Sequence, residues 1–383
     1  MLQPLAIVSV INDLVSDQRV HRTSLTLKNA GYDVLLVGRK KKNSPSLLPR
    51  EYETRRMVLL FEKGPFFYAE FNLRLFFFLL THKAALLISN DLDTLLPNYI
   101  INKIRRTTLV FDAHEYFTGV PELVKRPWVR KCWKKIERMI MPSIKHMVTV
   151  NDSIAALYQK EYAIVPLVIR NIPLTRKPET GYTPTRFDLE LADDKKIILL
   201  QGAGININRG AEEAVLAMQY TEGAIFLIIG DGDVIPALKS MVLDLNLVDK
   251  VRFLPLQPLE NLATYTSMAD IGITFDKDTN INYRYSLPNK LFDYIQAGLP
   301  VLASPLPEVK NIIEKYGCGV FIENYNPQHI AACFTAMLNN EDFLRECSAN
   351  AFKASATLNG ETEQLLLLNL FNKIRNCNLM IKE

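Results

Sequence analysis

Cysteine is scarce and unpatterned in this chain. Five residues in 383 (Cys132, Cys318, Cys333, Cys347 and Cys377) form no CxxC pair and are odd in number. They read as reduced thiols of a cytosolic protein, which excludes a disulfide frame or a zinc-ribbon site. Charge of one sign is also missing: the formal net charge is only +4, too mild to argue for a nucleic-acid partner. No HExxH, no GxGxxG and no phosphate loop ending in Gly-Lys-Ser/Thr occurs, so none of the chemistries those motifs carry is signalled. The apolar opening MLQPLAIVSVIND has no basic region before it, and a secretory leader is not expected. Long hydrophobic runs are absent too. The greasiest stretch, residues 66–88, is interrupted by Glu70, Arg74, His82 and Lys83, short of the roughly 18 apolar residues that a spanning helix needs. It is expected to be a buried helix leading into a strand.

What is present is the profile of a globular chain, 48% apolar and 22% charged, and long enough that two domains are the natural expectation. Short β-branched runs alternate with helical stretches, the pattern of parallel sheets with crossover helices. In the first half the strands are expected at 5–11, 32–38, 85–90, 108–113 and 146–151. After PLTRKPETGYTPTR (173–186), rich in proline and polar residues, the rhythm restarts with strands at 196–202, 224–230, 251–255, 271–275 and 301–305. This predicts an α/β fold of two doubly wound, Rossmann-like domains, at 1–176 and 186–358, followed by a helix over 359–383. Ligands of such sheets bind at the carboxyl ends of the strands, so the loops there carry the functional question.

Five loops qualify. GAGININRGAEEAV (202–215) offers Gly202 and Gly204, whose backbone can approach a phosphate, and Arg209 at a helix start. GDGD (230–233) is weak as a phosphate loop, because its aspartates repel anions. SLPNKLFDYIQAGLPVLAS (286–304) puts Pro288 before or at a first helical turn whose backbone N–H groups Asn289 is expected to cap, with Lys290 working against the helix dipole unless an anion binds there. Asp293, one turn in, is placed to accept hydrogen bonds from a sugar's hydroxyls. FDAHEYFTGVPEL (111–123) brings His114 and Glu115 to a strand end, and INDLVSDQRVHR (11–22) crowds Asp13, Asp17 and Arg19 into one turn. Taken singly, each is equally an ordinary capped turn or surface ion pair. KRPWVRKCWKKIER (125–138) interleaves Trp128 and Trp133 with lysines and arginines, suited either to anionic lipid headgroups or to a solvated face with tryptophans packed inward.

Together, in order and spacing, these segments resemble the GT-B fold glycosyltransferases, specifically the retaining, nucleotide-sugar-dependent family 4. SNDLDTLLP (89–97) and VTVNDSIA (148–155) belong to the same pattern, which spans nearly the whole chain. The resemblance implies two domains facing across a cleft, the second binding the donor and the first the acceptor. It maps the family's Glu-x7-Glu onto Tyr285 and Asp293, giving Asp293 the donor ribose, with Tyr285 in place of the first carboxylate. Ser286, Leu287, Asn289 and Leu291 would line the donor through the intervening loop. Arg209 would take the diphosphate; the partner cation's position is Ala203, and Lys290 is the expected substitute. His114 would contact the sugar near its reacting carbon, and Asp13, Asp17, Arg19 and Glu115 are acceptor-side expectations.

The function so implied is transfer of a sugar from a nucleotide-diphosphate donor to a glycan or lipid-linked acceptor in polysaccharide or cell-envelope assembly. Neither a metal nor another cofactor is expected. The location implied is the cytoplasm, with peripheral contact at the inner membrane face through 125–138. Two alternatives remain open: a nucleotide-sugar 2-epimerase of the same fold, and an inactive nucleotide-sugar or membrane-surface binding protein.

Overall fold

The computed structural model describes residues 3–15, 17–175, 185–186 and 194–380. The prolyl segment expected to separate the domains lies mostly outside the described residues. The chain divides into two compact units. One is Met1–Asn171 together with Thr362–Glu383; the other is Ile172–Glu361.

The first unit is built on the parallel strands β1 (Leu5–Asp13), β2 (Asp33–Lys40), β3 (Glu53–Val58), β4 (Leu86–Asn90), β5 (Thr108–Ala113), β6 (His146–Thr149) and β7 (Leu167–Val168), in the order 3-2-1-4-5-6-7. The second carries β8 (Lys196–Gly202), β9 (Ala224–Gly230), β10 (Val251–Leu254), β11 (Ile271–Thr274), β12 (Val301–Ala303) and β13 (Gly319–Phe321), in the order 10-9-8-11-12-13. All described pairings are parallel. Both are doubly wound sheets of Rossmann type. The order reverses beside β1 in the first unit and beside β8 in the second, which fixes where each sheet offers a crevice: β1/β4 and β8/β11.

The central strands are legible because they are buried on both faces and read as unbroken apolar runs. Thus Ile197–Leu200 and Phe226–Ile229 are almost wholly inaccessible. β3, β7 and β13 were not expected from the sequence. β3 is ETRRMV, polar and exposed at a sheet edge, and the other two span two and three residues.

The helix Gly360–Met380 belongs to the core of the first unit. Leu367, Phe371 and Ile374 pack with Ala6, Val8 and Leu27, and Arg375 donates to the Ala30 carbonyl at 3.0 Å.

One expectation is corrected. The helix Gly64–Thr81 is not buried. It buries Phe67, Phe71, Leu75 and Leu79, at every fourth residue, and leaves much of its remaining apolar surface in solvent.

Candidate functional site

The second unit assembles a cationic site at its β8/β11 switch point. β8 ends at Gly202, and the chain loops through Ile205 to Gly210, where the helix Ala211–Ala217 begins. The GDGD turn after β9 buttresses this loop. Ile205 N–H donates to the Asp231 carbonyl at 3.0 Å, Asp231 N–H to the Gly202 carbonyl at 3.1 Å, and Asp233 N–H to Asn206 Oδ1 at 3.1 Å. The approach is so close that a Cβ on Gly230, whose φ is +144°, would stand 1.8 Å from the Gly202 carbonyl oxygen. The turn is therefore a wall for the neighbouring loop and needs glycine for that reason. Gly230→Ala is expected to lower stability by about 2–3 kcal/mol. Gly204→Ala, where a Cβ meets nothing nearer than 4.0 Å, should stay within about 0.5 kcal/mol. Thermal unfolding of the two variants checks the contrast.

Arg209 turns from this loop onto Asp276, Nη1 to Oδ2 at 2.5 Å, and its guanidinium stacks 4.5 Å over the Tyr283 ring. Asp276 follows β11 and is 1% exposed. The same Oδ2 accepts from Ser286 Oγ at 3.3 Å, while Oδ1 is buried without a hydrogen-bond partner. Lys290, half-buried on the next helix, lies in the field of both groups. Burial lowers its pKa, Asp276 raises it, and Arg209 lowers it again, for a net downward shift. Arg209 and Ser286 thus bond one buried carboxylate, whose charge Lys290 also feels.

Asp276 was not identified from the sequence. The available signal was an aspartate placed immediately after a strand adjoining the switch point.

The helix Asn289–Gln296 corrects a second expectation. Its N-cap is Pro288, no side chain caps it, and Asn289 is exposed. Its first amides therefore lack the side-chain oxygen that usually satisfies such groups, and the end offers a positive dipole to an anion. Tyr285 ends the preceding turn, its N–H bonded to the Ile281 carbonyl. Leu287 is partly buried and Leu291 fully so; both pack into the core beneath the loop.

Asp293 is half-buried and accepts from Gln201 Nε2 at 3.1 Å. Gln201 Oε1 accepts in turn from Thr266 Oγ1 at 2.8 Å, which fixes the amide's orientation. Asp293 lines a cavity of about 360 Å³ together with Leu262, Thr266, Gln296 and Phe352, a volume within the range of small-ligand pockets.

The first unit gathers a different cluster at its own switch point. His114 sits past β5, with Nδ1 3.4 Å from Asp91 Oδ2 and Nε2 3.5 Å from Asp112 Oδ2 and 3.2 Å from Asn90 Oδ1. Its backbone N–H donates to Asp91 Oδ1 at 2.8 Å. Burial disfavours charge on the ring, but Asp91 and Asp112 overcome it and raise His114 to about 9. Arg19 clamps Asp112 at 2.7 Å and the Ile169 carbonyl at 3.0 Å. Burial alone would raise Asp112, yet Arg19 and His114 hold its carboxyl far below the usual range. Burial, and behind it Asp91, pushes Glu115 up to about 7. Asp91 has φ +58°, a strained backbone for a residue with a Cβ, of the kind found at functional sites.

The other first-loop expectations fall elsewhere. Asp17 caps the helix Gln18–Asn29 through Val20 N–H. Asp13 is engaged by Arg56 at 3.3 Å and by Ser44, tying down the 41–44 turn. Among the described residues, no group of three His, Cys, Asp or Glu side chains is arranged to hold a metal ion.

Two Rossmann-type sheets with polar sites at their switch points define the class as the GT-B architecture. Residues 183–354, within the second unit, match the profile of the family described as glycosyl transferases group 1. Among curated proteins, the amylovoran biosynthesis glycosyltransferase AmsK of Erwinia amylovora is 26% identical over 194 residues, 49% of this chain and 47% of that protein. The matched stretch thus spans about half the length of that relative. Among solved structures, sucrose-phosphate synthase from Thermosynechococcus elongatus superposes with a TM-score of 0.77 at 18% identity, covering 98% of this chain and all of that one. Anabaena HepE in complex with UDP-glucose gives 0.71 at 11% identity, covering 98% and 100%.

Proposed function

We propose that the chain is a retaining glycosyltransferase that moves a hexose from a nucleotide-diphosphate sugar to a glycan or lipid-linked acceptor in polysaccharide or cell-envelope synthesis. The observation that carries this is the pairing of Arg209 and Ser286 with buried Asp276, beside an uncapped helix start that bears Lys290. In this reading, Arg209 and Lys290 take the diphosphate and the amides from Ser286 to Lys290 add fixed donors. Asp293, oriented by Gln201, binds the ribose. The UDP-glucose in HepE supports a uridine donor of this kind.

As the glycosidic bond breaks, negative charge grows on the departing β-phosphate. Cations already in place stabilise it without reorganisation, so the residues present supply the needed electrostatics. The acceptor attacks from the same face, and the leaving phosphate takes its proton, preserving the anomeric configuration. No paired carboxylates of the glycosidase kind are required. His114, held as an imidazolium between Asp91 and Asp112, supplies a fixed positive charge at the switch point of the first unit. In this reading the acceptor is used at the cytoplasmic membrane face, and the exposed basic residues of the helix Pro127–Ile140 support that.

A second reading, a nucleotide-sugar 2-epimerase, draws on Asp91, Asp112 and Glu115 gathering around His114. Radiolabelled donors with and without acceptor separate the two: an epimerase converts donor alone, and a transferase forms a new glycoside. Saturating UDP-sugar at about 100 times Kd should raise the unfolding midpoint of the second unit by about 5 °C. A flat response to every nucleotide sugar, or an inverted anomeric product, overturns the assignment.

A further inference from the structure

We propose that the first unit docks on anionic lipid bilayers by inserting the solvent face of the helix Gly64–Thr81. The helix carries two opposite apolar faces. Phe67, Phe71, Leu75 and Leu79 go into the core, while Phe66, Leu73, Phe77 and Leu80 stand 37–67% exposed. At 3.6 residues per turn, these last four fall within about 60° of arc along some 20 Å of helix. Isolated exposed apolar residues need no explanation, but a continuous stripe does.

The charges of this helix are arranged to leave the stripe clear. Its only charged residues, Glu70 and Arg74, pair with each other at 2.8 Å. Glu70 also accepts from the backbone N–H groups of Leu60 and Phe61 at 2.9–3.0 Å. This folds the preceding loop so that Phe61 stacks 5.4 Å from Phe66, and Leu60 and Phe61 extend the apolar surface.

Cations flank both ends. Lys63 is the N-cap, and Lys83 follows the C-terminus, both exposed. Arg105 binds the Leu79 and His82 carbonyls at 3.0 and 3.1 Å. Trp133 packs edge-on against Tyr68 at 5.3 Å, which sets the helix Pro127–Ile140 alongside. That second helix presents Arg126, Lys131 and Lys135 to solvent, with Lys131 over the ring of exposed Trp128 at 4.9 Å.

Lys134 is excluded from this surface, contrary to the expectation for 125–138. It points inward to Glu137 and Glu161, each at 2.6 Å. An apolar stripe bordered by lysine and arginine complements an anionic interface. A second copy of the chain laid on the same stripe would bring like charges together. The inference rests on the membrane-side reading above for its purpose, but it stands on the surface of the first unit alone.

The test is vesicle flotation of the full chain, without donor or acceptor. The wild type should float with phosphatidylglycerol/phosphatidylcholine vesicles. The F66S/F77S variant, altered only at exposed positions, should lose binding by about tenfold or more. Phe77→Trp should shift its emission to the blue on vesicles and be quenched by brominated acyl chains. Equal flotation of the double variant, or no quenching, overturns the proposal. So does wild-type self-association in sedimentation that the double variant abolishes, because the stripe would then be a protein interface. The donor-induced thermal shift, measured on the same variant, tells this failure from failure of the transferase reading: it depends on the second unit and should be unchanged.

Discussion

Arg209→Ala is expected to reduce the turnover number for sugar transfer by about 10²–10³, the cost of removing one fixed donor from a developing oxyanion. Arg209 is only partly exposed, and Asp276 and Tyr283 hold it from two sides. Its charge is therefore in position before the donor arrives. The substitution also strands the Asp276 carboxylate in a nearly inaccessible position, so lost stability can mimic lost catalysis. Adding Asp276→Asn resolves this. The double variant R209A/D276N should recover most of the unfolding midpoint, because the stranded carboxylate is gone, yet remain as inactive as the single variant. Recovery of activity along with stability would assign Arg209 to the fold instead. Transfer of labelled sugar and thermal unfolding, measured on both variants, decide it.

The two sheets were legible because their strands are buried on both faces, and apolar continuity is a property of sequence. Arg209, Lys290, Asp293 and His114 were legible for another reason: each lies just past a strand or at a helix start, where loop position alone suggests a ligand. Asp276 was not, since its importance comes from partners 67 and 10 residues away, Arg209 and Ser286. Asp91 was hidden in the same way. Its quoted segment drew notice, but a positive φ and a histidine 23 residues on are facts of tertiary structure. The exposed stripe of the 64–81 helix was misread because composition cannot distinguish one buried apolar face from two apolar faces of which one is wet. Pro288 stands just before the helix as its type suggests, whereas Asn289, the first helical residue, accepts none of the amides it was expected to cap.

Asp112→Ala should destabilise the first unit by about 3–5 kcal/mol, because it leaves Arg19 and His114 as buried cations without the carboxylate between them. Both tryptophans of the chain, Trp128 and Trp133, lie in this unit. Their fluorescence therefore follows its urea unfolding separately from the second unit, which a two-unit chain requires.

The pH dependence follows from the same contacts. Asp112 has a depressed folded-state pKa, so its contribution is present above its ordinary value of 3.8 and fades as pH falls below that. His114 is raised from 6.5 to about 9, so its contribution is complete below 6.5 and is lost as pH climbs through 9. Glu115, raised from 4.5 to about 7, adds a loss between those values as pH rises. The first unit should therefore be most stable in mild acid and should lose about 3 kcal/mol from His114 alone between pH 6 and pH 9.5. In Asp112→Ala one of the two carboxylates that hold the proton on His114 is gone, and the alkaline loss must begin at lower pH. An unfolding midpoint that stays level from pH 6 to 9.5 in the wild type would mean that His114 is neutral in the folded state. It would then be a hydrogen-bonding imidazole rather than a fixed positive charge.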